Sequence, residues 1–259
     1  MNAQFYADRF QQAAAEFARV ANLVRPPDWE QRLTLRFHGE AQAEQPLVIE
    51  SALIEDYPQG YAIGHRLLAA SSGQLLASTI DRSPWQPQNL SIPSRPFEPR
   101  FDNPGENPNA DAPKTEEDAL RAGGFASGGI TIGPADVDAA GHCLNRLHVG
   151  LFGDGAAIAW QVMELSRDVL QSHRWGCMVV NLSMVILSSL KPGIAVKQVS
   201  RIVKLRSRTV TLRHDQFNVV TGEPIARSLA TGLLVSLDTR RAIAFPPEIN
   251  LNKYEYLPE

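Results

Sequence analysis

Near the start of the chain, apolar side chains recur at Phe10, Ala13, Ala14, Phe17, Val20, Ala21 and Val24, the three-four spacing of one buried helix face. Pro26 and Pro27 set the expected end of that helix, because proline has no N–H to donate and restricts the residue before it. Beyond them the period changes to two. QRLTLRFHG alternates Leu33, Leu35 and Phe37 with polar neighbours, and PLVIESALIEDY, GYAIGHRLLAA and GQLLASTID read as three further strands separated by short turns. The first part of the chain is therefore expected to be one helix followed by an antiparallel meander.

The pattern then lapses. Between Ser83 and Pro113 lie eight of the chain's eighteen prolines, interspersed with Asn89, Asn103, Asn107 and Asn109, and no apolar period survives there. Such composition predicts a linker or an extended covering loop. Order resumes with a short strand, GGITIGP, a polar loop, ADVDAAGHCLN, and a second helical spacing at Leu151, Ile158, Val162, Leu165 and Val169. A second meander follows in GCMVVNLSMVILSS, PGIAVKQVSRIVKL, RTVTLRHDQFNVV and GEPIARSLATGLLVSLD. The first of these is apolar on both faces, which suits a central strand.

The two halves can be superposed on each other. His65, Gly73 and Ala77 are matched by His214, Gly222 and Ala226, all at an offset of 149 residues. With the helix-then-meander order shared, internal duplication is the expectation. It divides the chain at about 1–82, a 83–125 linker and 126–259. One element is unmatched: nothing in the first half corresponds to GGITIGPADVDAAGH, so whatever that loop does is expected once per chain. The shared histidines, occupying one repeat position, are expected to pack or hydrogen bond in the same way in each half.

Composition narrows the function. Hydrophobic residues make up 44% of the 259 and charged residues 20%, so a packed core is available and disorder is not expected. Twenty-five basic against 28 acidic residues, without a long run of either sign, leave no electrostatic footprint for nucleic acid. Arg201, Lys204, Arg206 and Arg208 cluster along one strand and its turn, which reads as a solvated face or, alternatively, as a surface for anionic phosphates or an acidic protein. No apolar segment reaches the ~20 residues that a spanning helix needs. Asp8, Arg9 and Glu16 break the apolar stretch required of a secretion signal. Two cysteines, Cys143 and Cys177, form neither a disulfide framework nor a CxxC metal pair, so a cytoplasmic, reduced setting is expected.

Candidate chemistry concentrates in the unmatched loop, where Asp136, Asp138, His142 and Asn145 lie close together just before the second helix. A carboxylate there is favoured by the helix dipole, and unpaired N–H groups at the same helix end can bind a developing oxyanion. Asp138 or Asn145 could equally serve as a plain N-cap.

The string ADVDAAGHCLNRLHVGLF resembles DxDxxGHVNNxxYxxxF, the signature of hotdog-fold thioesterases of the 4-hydroxybenzoyl-CoA type and of the related acyl-ACP thioesterases. Asp136 and Asp138 take the two Asp positions, Gly141 and His142 match directly, Asn145 takes the second Asn, and Phe152 takes the aromatic position. Cys143, Leu144 and His148 stand where Val, the first Asn and Tyr are usual. The resemblance implies an α+β double hotdog, two repeats each of a long helix wrapped by an antiparallel sheet. It implies a hydrolase of acyl-CoA or acyl-ACP thioesters with Asp138 as catalytic carboxylate, supported by Asn145 and His142. Substrate contacts would come from Asp136, Gly141 and His148. No cofactor or metal is called for, and the arrangement is compatible with a homodimer of such chains. A hydroxyacyl-thioester dehydratase would share the fold, but no loop resembling DxNPxH is present; an acyl-CoA-binding protein without turnover is the other alternative. Cys143, at a usually aliphatic position, is expected to be a small packed residue and not a nucleophile.

Overall fold

The computed structural model describes residues 3–24, 30–54, 61–88, 107–138 and 141–246. The chain opens with α1 (Ala3–Ala21), followed by β1 (Leu23–Val24), β2 (Gln31–Phe37), β3 (Leu47–Ile54), β4 (Tyr61–Ala69) and β5 (Leu75–Pro87). After α2 (Glu116–Arg121) come β6 (Phe125–Thr131), α3 (Asn145–Val162), α4 (Arg167–Ser172), β7 (Trp175–Ile186), β8 (Ala195–Leu205), β9 (Thr209–Asn218), β10 (Pro224–Ser236) and β11 (Arg241–Ala242). Nine strands run side by side in the order β3-β4-β5-β2-β7-β10-β9-β8-β6, with β1 on β5 and β11 on β10. The seam between the halves is the antiparallel pair β2 and β7, in register from Gln31 opposite Ile186 to Arg36 opposite Asn181. β7 is central, as its two apolar faces required.

This is a double hotdog. The first half lays its long helix on a four-stranded stretch and the second half on a five-stranded one, and the sheet continues unbroken across the seam. The duplication is visible in detail. Gly73 and Gly222 both adopt positive φ, at 69° and 74°, in the turns between β4 and β5 and between β9 and β10. Their N–H groups donate to Ala69 O and Asn218 O, again 149 residues apart, at 2.8 and 2.9 Å. Only glycine enters that region without strain. Among the described residues, β6 has no counterpart in the first half.

Several boundaries differ from the sequence expectation. α1 begins at Ala3, and its buried face is Tyr6, Ala7, Phe10, Ala14, Ala18 and Ala21. Val20 is 55% exposed, and Val24 belongs to β1. The buried face therefore begins and ends about a turn earlier than the apolar spacing predicts, because alanines contribute little contrast to the pattern. Pro26 and Pro27 lie outside the described residues. Val169 is in α4, not in the second long helix. α3 stops because Glu164 takes a φ of 65°, with Glu164 N–H donating to Gln161 O and Leu165 N–H to Trp160 O, a Schellman ending. Ser166 then caps α4 by accepting from Val169 N–H.

The expected linker is shorter than its composition suggested. Ser83–Pro87 still belong to β5, and residues 107–113 pack against the second repeat. Buried Arg213 donates to Pro108 O at 2.6 Å and Ala110 O at 3.1 Å, and Arg227 donates to Asn109 Oδ1 and Pro113 O. Both arginines surround Asp215, which pairs with Arg213 at 2.8 Å. Burial pushes the Asp215 carboxyl up, against the pull of Arg213, Arg227 and Arg201. Prolines and asparagines that lack periodicity are here held by their carbonyls to side chains of β9 and β10, a partnership no local pattern displays.

Candidate active site

The loop before α3 is built on short backbone ties. Asp136 ends a single 3-10 turn, Pro134–Asp136, and its Oδ2 accepts from Gly133 N–H at 2.9 Å. Val137 bridges to Cys143, and Leu144 N–H donates to Asp136 O. Inside this narrow hairpin Asp138 N–H donates to His142 O at 2.8 Å, and Asp138 Oδ1 accepts from His142 N–H at 2.9 Å. His142 Nδ1 lies 3.6 Å from Asp138 Oδ2, with both side chains over a third exposed. Gly141 closes the turn with a φ of 82°, a conformation costing other residues roughly 1–3 kcal/mol. Asp138 and His142 are thus brought together at the surface, and Asp136 is spent on holding the loop.

The plain N-cap alternative is not realised. Leu144 occupies the N-cap position of α3 without a side-chain hydrogen bond, and Asn145 is the first helical residue. Asn145 N–H donates instead to Gln11 Oε1 of α1 at 2.8 Å. The first repeat therefore caps the helix of the second. Leu147 N–H donates to Leu144 O, so part of the donor set expected to serve an oxyanion is already engaged.

Asn145 is buried and lines a small pocket under α1, about 10 Å³, with room for about one water molecule. Ala7, Phe10 and Ala14 of α1 form one wall, and Leu33 and Leu35 another. Its polar lining is Gln11, Gln31, His65, Thr79, Asp81 and Asn145. His65 stacks on Phe10 at 6.0 Å, and its Nδ1 meets Ser51 Oγ at 2.7 Å. Burial pulls His65 down to about 3, so its ring is neutral. Asp81 Oδ1 accepts from Ser83 N–H and Oγ–H, and Oδ2 accepts from Gln31 Nε2 at 3.4 Å. The sequence did not single out Gln11, Gln31, Thr79 or Asp81. The repeat offset held a signal for Asp81, since 149 residues on stands Ala230.

His148, expected near substrate, points elsewhere. It is buried in the second repeat, with Nδ1 at 2.7 Å from Gln216 Oε1, and burial lowers its pKa. Gln216 and Gln198 extend this network to His148 O, Leu151 O and Ser127. Cys143 is buried, and burial together with Asp136 and Asp138 pushes its thiol up to about 12, which removes it as a nucleophile. Of the basic cluster, Lys204, Arg206 and Arg208 are exposed, whereas Arg201 is half-buried and donates to Ala122 O. Among the described residues no group of side chains could hold a metal ion. No described helix is long and apolar enough to cross a membrane.

Residues 132–252, from the end of β6 through the last strands, match the model of the thioesterase-like superfamily. The likeness lies in the second repeat. The match spans the hairpin of Asp138 and marks the chain as a hydrolase acting on thioesters. Two solved structures are similar across both repeats. An acyl-ACP thioesterase from Bacteroides thetaiotaomicron is 10% identical with a TM-score of 0.57, over 90% of each chain. The 12:0-ACP thioesterase from Umbellularia californica is also 10% identical, with a TM-score of 0.56 over 90% of this chain and 87% of that one. At such identity they speak for the shared double-hotdog fold. No curated protein matches the chain.

Proposed function

We propose that the thioesterase-like chain hydrolyses acyl-CoA or acyl-ACP thioesters through one carboxylate site, centred on Asp138, with the acyl group received between the two repeats. The observation that carries this reading is the Asp138 hairpin itself. A partly exposed carboxylate is fixed by its own backbone, backed by His142, and followed directly by a helix whose first residue lines a pocket.

The chemistry is undemanding. A thioester carbonyl is activated and thiolate is a good leaving group, so one oriented carboxylate suffices in either of two ways. As a nucleophile, Asp138 adds to the carbonyl carbon, the C–S bond breaks, and water then hydrolyses the resulting anhydride. As a base, it takes a proton from water as the water adds, and thiolate again departs. The amide of Asn145 supplies a donor for the carbonyl oxygen in both. His142 orients the carboxylate. Replacing Asp138 with Asn keeps the hairpin's acceptor oxygen yet removes both routes, and should lower kcat by about 10²–10⁴ on any acyl-CoA the enzyme turns over. Thiol release at the wild-type rate from a folded Asp138→Asn protein would overturn the assignment.

A further inference from the structure

The first repeat touches the start of α3 through Gln11, whose Oε1 accepts from Asn145 N–H at 2.8 Å. A helix start ordinarily takes such an acceptor from its own N-cap side chain. Leu144 offers none, so the acceptor comes instead from a residue 134 positions away in the chain. Close packing of the two helices holds the contact. Gln4, on the same face of α1 as Gln11, lies so near α3 that a Cβ on Gly150 would come within 3.0 Å of its Nε2. The consequence falls on Asn145, which is 2% exposed and whose side-chain amide makes no hydrogen bond with any described residue. That amide is therefore aimed by its backbone. The backbone is tied on one side to the Asp138 hairpin, through Leu144 N–H and Asp136 O, and on the other to Gln11.

We propose that Gln11 is a positioning residue for thioester hydrolysis at Asp138. Its Oε1 fixes the first turn of α3, and with it the direction in which the Asn145 amide meets the thioester carbonyl oxygen. The inference rests on the Asp138 reading above. A donor for a developing oxyanion works only where it stands ready beforehand, and a misplacement of ~1 Å costs up to about 100-fold in rate. A cap that served stability alone would lower the melting temperature and leave kcat of the folded protein unchanged. A Gln11 that touched substrate itself would do so through its Nε2 donors, because Oε1 is engaged. The three roles separate by variant.

Thiol release would be followed with the fastest-cleaved member of a saturated acyl-CoA series. Gln11→Leu and Gln11→Met, each without the amide, should lower kcat about 10-fold and change KM less than about 2-fold. Gln11→Glu keeps an acceptor oxygen at the same reach and lacks the donors, and should bring kcat back to within about 3-fold of the wild type. In an Asn145→Ala background Gln11→Leu should have no further effect, because the group it positions is gone. Wild-type kcat in a folded Gln11→Leu or Gln11→Met protein, or a rise in KM alone, would overturn the proposal. So would failure of Gln11→Glu to restore kcat, or an undiminished effect of Gln11→Leu on the Asn145→Ala protein. The catalytic reading fails separately. Asp138→Asn turning over at the wild-type rate refutes that reading, whereas an inactive Asp138→Asn beside a fully active Gln11→Leu refutes the positioning role alone.

Discussion

The two repeats share a core motif and use it differently. In the first, Ser51, His65 and Phe10 make a hydrogen bond and a ring stack; in the second, Ser200, His214 and Phe152 make the same pair at 2.7 and 5.6 Å. Around the first trio a small pocket remains under the helix, edged by Asp81 and Thr79. Around the second it is filled. Gly155 of α3 lies so close to the sheet that a Cβ there would sit 2.3 Å from Ser200 Oγ and 2.6 Å from Gln198 Nε2. Gln198, Gln216, Ser127 and His148 occupy the rest with a connected hydrogen-bond network. The two repeats thus share a scaffold and differ in what surrounds it. The first repeat has a small pocket under its helix, and the second is filled there and carries β6 and the Asp138 hairpin.

The outer faces of the repeats diverge as well, and here the largest effect is expected. Arg213 and Asp215 are both 4% exposed beneath residues 107–113, whereas the surface pair Arg66 and Glu50 on the first repeat is 36% and 50% exposed. Removing one partner of a buried pair strands the other charge, so Arg213→Ala should cost about 3–5 kcal/mol in urea melts. Glu50→Ala should cost less than about 1 kcal/mol. Equal losses would mean that the segment after residue 107 does not shield Asp215 in solution.

The matched histidines give a finer test. Burial holds His65 and His214 at about 3, far below the 6.5 of an unfolded chain. Between those values the unfolded state binds more protons, so stability is full above pH 6.5 and declines as pH falls toward 3. Each histidine should contribute a slope of about 1.4 kcal/mol per pH unit. His65→Gln and His214→Gln should each flatten the profile by that amount. A smaller change for His65 alone would show that its pocket admits water to the ring; no change in either would contradict the burial of both.

Much of this was legible in the residues. Strand alternation located both meanders, and a constant offset exposed the duplication, because turns needing glycine and cores needing a histidine recur at fixed positions. The Asp138 loop stood out because reactive side chains crowd before a helix. What the pattern could not carry was partnership across the chain. Gln11 reads as an ordinary helix residue until its amide is found capping α3. Pro108 and Ala110 read as linker until Arg213 is found holding their carbonyls. His148 sits one helical turn from Asn145 and shared its motif, but the helix turns it into the second sheet, away from the pocket. Asp81 looked like the polar end of a strand, and only its contrast with Ala230 sets it apart.

On the proposed function these halves make one site between them, not two. Titrating the full chain with a non-hydrolysable acyl-CoA thioether, by calorimetry at saturating ligand, counts the sites directly. One equivalent bound per chain is the expected result, and two equivalents per chain would rule out a shared site.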